Sequence, residues 1–217
     1  LNSDSSNAVF TLRTSRPGES RPLPTSRVKF AHVIMDNTNE YQVTGFFTPE
    51  AHAPFLNLLR TLDDLASTAR VQGVLLDVRS RQIGWGQASE LAVRIQKLKD
   101  AGKLVYVWMP AGDTRTYAAV AGANRILMTP SGGLLLTGVV GQSDHIKTGL
   151  DRLGVDAEFV TTGAYKTFPE TFTKSKPSDA SKEVQTQMVN TLYEDVVKKI
   201  ATGRQKSAAE VKAIIDD

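Results

Sequence analysis

Lys166 stands where an ammonium is out of place. It lies in Gly163-Ala-Tyr-Lys-Thr-Phe-Pro-Glu-Thr-Phe172, set among Tyr165, Phe168 and Phe172, with Pro169 stiffening the exit. An ordinary lysine titrates near pH 10.4 and is almost wholly protonated at neutral pH. Burial against aromatic rings disfavours the charged form, and a depression of about 3 pH units, worth roughly 4 kcal/mol, would make the amine a general base. The competing expectation is a stem laid along the rings with its head in water. Gly163 allows a sharp backbone turn where a side chain would obstruct one. The apolar run Ala157-Glu-Phe-Val160 reads as a strand, so the segment predicts a strand leaving a sheet and delivering Lys166 at its edge.

Other chemistries find little purchase. The chain has no cysteine, which excludes disulfides, thiolate catalysis and zinc–sulfur sites. His32, His52 and His145 show no ligand-like spacing with carboxylates and read as surface or capping residues. No metal and no cofactor are expected. Lys and Arg number 26 against 23 acids, for a net charge of +3, with no basic run interleaved with aromatics, so no nucleic acid partner is expected. No apolar stretch approaches the roughly 18 residues that span a bilayer, and no charged-then-apolar leader opens the sequence. It begins at Leu1-Asn-Ser-Asp without a methionine, which suggests a processed or trimmed piece, with an anchor lost upstream as one such case.

The scaffold that would hold Lys166 can be read from periodicity. With 217 residues and 41% hydrophobic content the chain can bury the core of one domain. Residues 1–27, rich in Pro, Ser, Thr and Arg, read as an extended N-terminal arm or linker with one strand-like moment at Val9-Phe-Thr-Leu12. Residues 28–217 then alternate. Strands are expected at Val28–Met35, Gly73–Val78, Lys103–Met109, Arg125–Met128, Leu134–Leu136 and Val155–Val160. Between them fall helices. One is capped at Thr48 with an apolar face through Phe55, Leu58, Leu59, Leu62 and Leu65; one carries Leu91, Ile95 and Leu98 and ends at Gly102. Short ones are expected around Tyr117–Ala121 and over Ser143–Leu153. A last long helix places Val184, Met188, Leu192, Val196 and Ile200 at i, i+4 spacing up to Gly203. Ser207-Ala-Ala-Glu210 is a capping box opening another turn or two. Strands alternating with helices imply a parallel α/β sheet. A Rossmann reading fails, because Gly84-Trp-Gly86 does not spell the Gly-rich fingerprint.

Three stretches carry a family resemblance. Gly163-Ala-Tyr-Lys166-Thr with Glu170-Thr-Phe172 resembles the G-x-Y-K-S-A-x-E-P-F signature around the catalytic lysine of the signal peptide peptidase A, or protease IV, family. Asn124-Arg-Ile-Leu-Met-Thr-Pro130 with Gly132 and Gly138 resembles that family's A-N-K-I-x-L-S-P-x-G…G run, and Ser143 to Val155 its Y-K-x-L-L-D-K-L-x-V helix. The family's Ser-Ala after the lysine is Thr167-Phe168 here, and its Glu-Pro-Phe is Glu170-Thr-Phe172. The resemblance implies a crotonase/Clp-protease-like ββα superhelix with a mostly parallel sheet. It implies a Ser-Lys dyad serine peptidase acting on cleaved signal peptides or similar apolar peptides. Lys166 would be the general base, Tyr165 and Phe168 would desolvate it, and Gly163, Tyr165 and Glu170 would position the loop, Glu170 by hydrogen bonding.

The nucleophile is not where the resemblance would put it. A catalytic module has its serine where this chain has Gly112-Asp113-Thr-Arg-Thr-Tyr117, and its oxyanion loop where this chain has Arg79-Ser-Arg-Gln-Ile-Gly-Trp-Gly86. Ser131-Gly-Gly133 falls after the Pro130 landmark and reads as a turn. The chain thus resembles the N-terminal, lysine-bearing half of a two-module peptidase, C-terminally truncated. The expected partners are a second serine-bearing module or protomer and a peptide substrate, in a homo-oligomer at the bacterial cell envelope, membrane-associated and facing the periplasm or exterior. A non-catalytic crotonase-fold scaffold or oligomerisation module is the alternative, and an acyl-CoA enzyme on the same superfold a weaker one, since fold does not fix function.

Overall fold

The computed structural model describes residues 9–10, 29–36, 54–79, 83–163 and 165–216. In chain order the elements are β1 (Val9–Phe10), β2 (Phe30–Met35), α1 (Pro54–Ser67), β3 (Gly73–Val78), α2 (Trp85–Asp100), β4 (Leu104–Met109), β5 (Gly112–Asp113), α3 (Thr114–Val120), β6 (Arg125–Met128), β7 (Leu134–Leu135), α4 (Lys147–Arg152), α5 (Glu170–Thr173), α6 (Asp179–Arg204) and α7 (Ala208–Asp216). They form two compact units, Leu1–Thr137 with Val196–Asp217, and Gly138–Asp195.

The first unit is built on a five-stranded sheet in the order β1-β2-β3-β4-β6. The pairs β2–β3, β3–β4 and β4–β6 are parallel, as the alternation of strands and helices predicts, and β1 adds an antiparallel edge. Period-2 geometry sends Val74, Leu76 and Val78 of β3 to the same face as Val33 and Met35 of β2 and Val105, Val107 and Met109 of β4. Phe55, Leu58, Leu59 and Leu62 of α1 and Leu91, Ile95 and Leu98 of α2 join them in one buried cluster. Strands β5 and β7 form a separate parallel pair. Val196, Val197 and Ile200 at the C-terminal end of α6 are buried, and Arg204 donates to the Tyr117 hydroxyl (3.2 Å) and the Ala123 carbonyl (3.3 Å). The Ser207 capping box forms: Glu210 N donates to Ser207 Oγ (3.2 Å), and Ser207 N donates to the Glu210 carboxylate (2.7 Å). Val211 and Ile215 of α7 are buried behind it.

The second unit holds α4, α5 and α6 as far as Asp195, and here two expectations are corrected. The helix expected over Ser143–Leu153 is confined to Lys147–Arg152, and Val155–Val160 forms no strand. A strand exists only where a neighbour accepts from its N–H groups and donates to its C=O groups, and among the described residues none pairs with this run. Val155, Phe159 and Val160 are exposed. Lys166 is therefore not delivered from a sheet edge. The Thr48 cap, most of the N-terminal arm and residues 80–82 of the loop before α2 lie outside the described residues.

Candidate active site

Lys166 sits in a run of turns. Gly163 adopts φ +99°, the left-handed region in which a side chain would be strained, and its carbonyl accepts from Lys166 N at 3.3 Å. Glu170 N then donates to Thr167 O (3.0 Å) and Thr171 N to Phe168 O (3.2 Å), and the chain passes into α5. The Lys166 side chain is exposed, and so are the rings expected to desolvate it, Tyr165 at 61% and Phe168 at 73%. Phe168 packs edge-on against Phe172, ring centroids 5.8 Å apart, and Phe172 stacks on Phe159 at 5.5 Å. The aromatics thus contact one another and leave the amine in water. Tyr165 Oη instead donates to Glu183 Oε2 at 3.2 Å, tying the turn to α6.

Glu170 anchors the segment on the C-terminal side of the lysine. It is 9% exposed, and its Oε1 accepts from Lys174 Nζ (2.8 Å) and Ser178 Oγ (2.6 Å) while Oε2 accepts from Ser178 N (2.9 Å). The Lys174 ammonium, then the Ser178 hydroxyl and amide, hold its carboxyl down at about pH 2. Ser178 in turn caps α6, accepting from Ser181 N at 3.2 Å. His145 is a capping residue too, its Nδ1 lying 3.1 Å from both the Glu170 and the Lys174 carbonyl oxygens. Sequence reasoning found Glu170 and read His145 as a surface or capping residue, but missed Ser178, Lys174 and Glu183. Ser178 before a helix was a readable N-cap signal; the other two make contacts that no local pattern announces.

In the first unit, the stretch where the resemblance would expect a nucleophile is closed by its own hydrogen bonds. Asp113 is the N-cap of α3, accepting from Thr116 N at 2.7 Å. Thr114 is buried, and its hydroxyl donates to Thr137 O and accepts from Thr137 N, both at 2.7 Å. In the loop where the resemblance would expect oxyanion donors, Gly84 N donates to Gln87 Oε1 at 2.7 Å. Arg115 lies 4.7 Å over the Trp85 ring and donates to Ile83 O at 2.7 Å. Ser131 is exposed in the Thr129–Gly132 turn, which is closed by Gly132 N donating to Thr129 O at 2.9 Å. A Cβ on Gly132 would fall 1.9 Å from Pro110 O, so glycine is required there by space.

The parallel sheet with helices on its core face, and the short second sheet, make this a mostly parallel α/β module, which is the crotonase and Clp-protease-like fold class of Peptidase family S49. The profile of Peptidase family S49 matches residues 97–217, more than half of the chain, and the chain belongs to that family. It is similar to Protease 4 of Salmonella typhi, 26% identical over 152 residues that make up 67% of this chain and 24% of that protein. It is similar to a putative signal peptide peptidase SppA of Enterococcus faecium, 27% identical over 161 residues, 74% of this chain and 46% of that protein. A chloroplastic serine protease SPPA of Arabidopsis thaliana is 21% identical over 143 residues, 65% of this chain and 21% of that protein. The chain spans less than half the length of each of these relatives.

Proposed function

We propose that this chain is the lysine-bearing module of a serine endopeptidase of the Ser-Lys type, with the serine supplied by a second module or protomer. The observation that carries the reading is a division within one S49 chain: a Gly-Ala-Tyr-Lys turn is present, while the nucleophile's place is an N-cap aspartate and a doubly bonded threonine. In the reaction, the neutral Lys166 amine takes the proton of the incoming serine hydroxyl as its oxygen bonds to the peptide carbonyl carbon. The resulting ammonium returns that proton to the departing amine as the C–N bond breaks, and water then hydrolyses the acyl-enzyme. Tyr165 and Phe168, exposed in the chain itself, form the apolar wall that closes over the amine when the serine-bearing surface arrives. The substrate class is an extended apolar peptide such as a cleaved signal peptide, and the setting the bacterial cell envelope. Among the described residues no helix is long and apolar enough to cross a membrane.

The test uses the intact gene product that contains this chain. Lys166→Ala is expected to lower turnover of a peptide ester by several orders of magnitude, since losing one member of a nucleophile–base unit costs nearly as much as losing both. Lys166→Arg is expected to be as inactive, because a guanidinium stays protonated above about pH 12. Lys166→His, with a suitable titration range but shorter reach, retains at most a trace. Near-wild-type rates for Lys166→Arg overturn the reading and favour a non-catalytic scaffold.

A further inference from the structure

The turns that carry Lys166 have no ladder to hold them. Among the described residues from Gly163 to Lys174, the backbone N–H groups that bond to backbone do so within the run, through i→i+3 and i→i+4 contacts. Such a run keeps its own shape but has no fixed place unless something outside it fastens it. On the lysine's C-terminal side the Glu170 carboxylate is fastened to Ser178, and the backbone of α5 is fastened by residues 145 and 146. Ile146 N donates to Thr171 O at 2.8 Å, and His145 Nδ1 reaches the carbonyls of Glu170 and Lys174, the two ends of α5, each at 3.1 Å. Both partners are carbonyl oxygens, which only accept, so Nδ1 carries a hydrogen. Nε2 is a buried atom with no hydrogen-bond partner among the described residues. The ring therefore works through one edge. Its polar contribution is a single N–H shared between two carbonyls of a helix too short to be stable alone.

We propose that His145 is a positioning residue for Lys166: its Nδ1–H fixes α5, and α5, four residues on from the lysine, fixes where the amine stands. The proposal rests on Lys166 being the general base. It asks of His145 a donor at one place, and not a charge or a second ring nitrogen. General-base geometry is strict, and a displacement of about 1 Å costs on the order of 100-fold.

Asparagine offers an N–H where Nδ1 stands, glutamine offers one near Nε2, and alanine offers none. In the intact gene product, His145→Asn is expected to keep kcat within about threefold, and His145→Ala and His145→Gln to lose about 10- to 100-fold in kcat with KM little changed. Melting temperature and circular dichroism of each variant accompany the kinetics. If His145→Ala does not fold, the comparison of Asn with Gln decides. A folded His145→Asn as slow as His145→Gln, or a His145→Ala at wild-type rate, overturns the proposal. Lys166→Ala in the same assay separates the two readings. If it is active, the general-base reading falls; if it is inactive while His145→Ala turns over normally, only the positioning role falls.

Discussion

Glu170 accepts three hydrogen bonds within eight residues of its own position, and its carboxyl is held at about pH 2 against an ordinary 4.5. A carboxylate with a lowered folded-state value contributes its stability in full above the unfolded value and loses it as pH falls through the folded one. Glu170→Gln keeps one acceptor but cannot serve the ammonium and both Ser178 donors as a charge does, and about 1 to 3 kcal/mol is expected to be lost at pH 7. Urea unfolding of both proteins across pH checks this: the gap holds constant above about pH 4.5, shrinks below it and nearly closes by pH 2. A gap independent of pH would show that the carboxylate charge contributes nothing. Among single residues, the sequence named Lys166, Gly163 and Glu170 through a motif, because a motif preserves residue type and spacing. Of the two surroundings expected for the amine, the head in water is the one this chain shows, since whether Phe168 and Phe172 cover a lysine or each other depends on backbone turns that composition does not encode.

Helix α6 shows what periodicity can and cannot read. The stripe Val184, Met188, Leu192, Val196 and Ile200 was legible as one face, but only its C-terminal end is covered by this chain; Met188 is 56% exposed. Periodicity reports which residues share a face and says nothing of what lies against it, and the same gap left Val155–Val160 read as a strand without a partner. The parallel order of β2, β3, β4 and β6 was legible because each strand is a short apolar run bounded by a helical one. Near the end of α6, Gly203 is set by contact. Glycine inside a helix usually costs about 1 kcal/mol against alanine, yet a Cβ here would fall 2.4 Å from the Ala121 carbonyl carbon and oxygen. Gly203→Ala is expected to destabilise by about 1 to 3 kcal/mol, with the overpacking outweighing the propensity. Gly149 in α4 is the control, because a Cβ there meets nothing within 4 Å and Gly149→Ala should be neutral or stabilising. Thermal melts of the two variants shifting in the same direction would defeat the argument.

The proposed half-site predicts behaviour of the whole molecule that neither residue nor helix shows. The 217-residue chain alone should not hydrolyse a peptide ester or take up a fluorophosphonate label, because Thr114 is locked to Thr137 and Ser131 stands in an exposed turn. Ser131→Ala should change nothing, and activity of the isolated chain that vanishes with this substitution would refute the division of labour. The same proposal calls for a surface on which the serine-bearing module or protomer would sit. Val184 and Met188 of α6 and Val160, Tyr165 and Phe168 near the lysine are all exposed within the second unit, an apolar display that a finished surface tends to bury. We expect it to be covered by the serine-bearing module or protomer, so that assembly and desolvation of the amine are one event. Met188→Asp in the intact gene product would then weaken association, seen as a lower sedimentation coefficient at matched concentration, and reduce turnover in proportion to the assembled fraction. Full activity from a monomeric Met188→Asp protein would place the partner elsewhere and leave this face a plain surface.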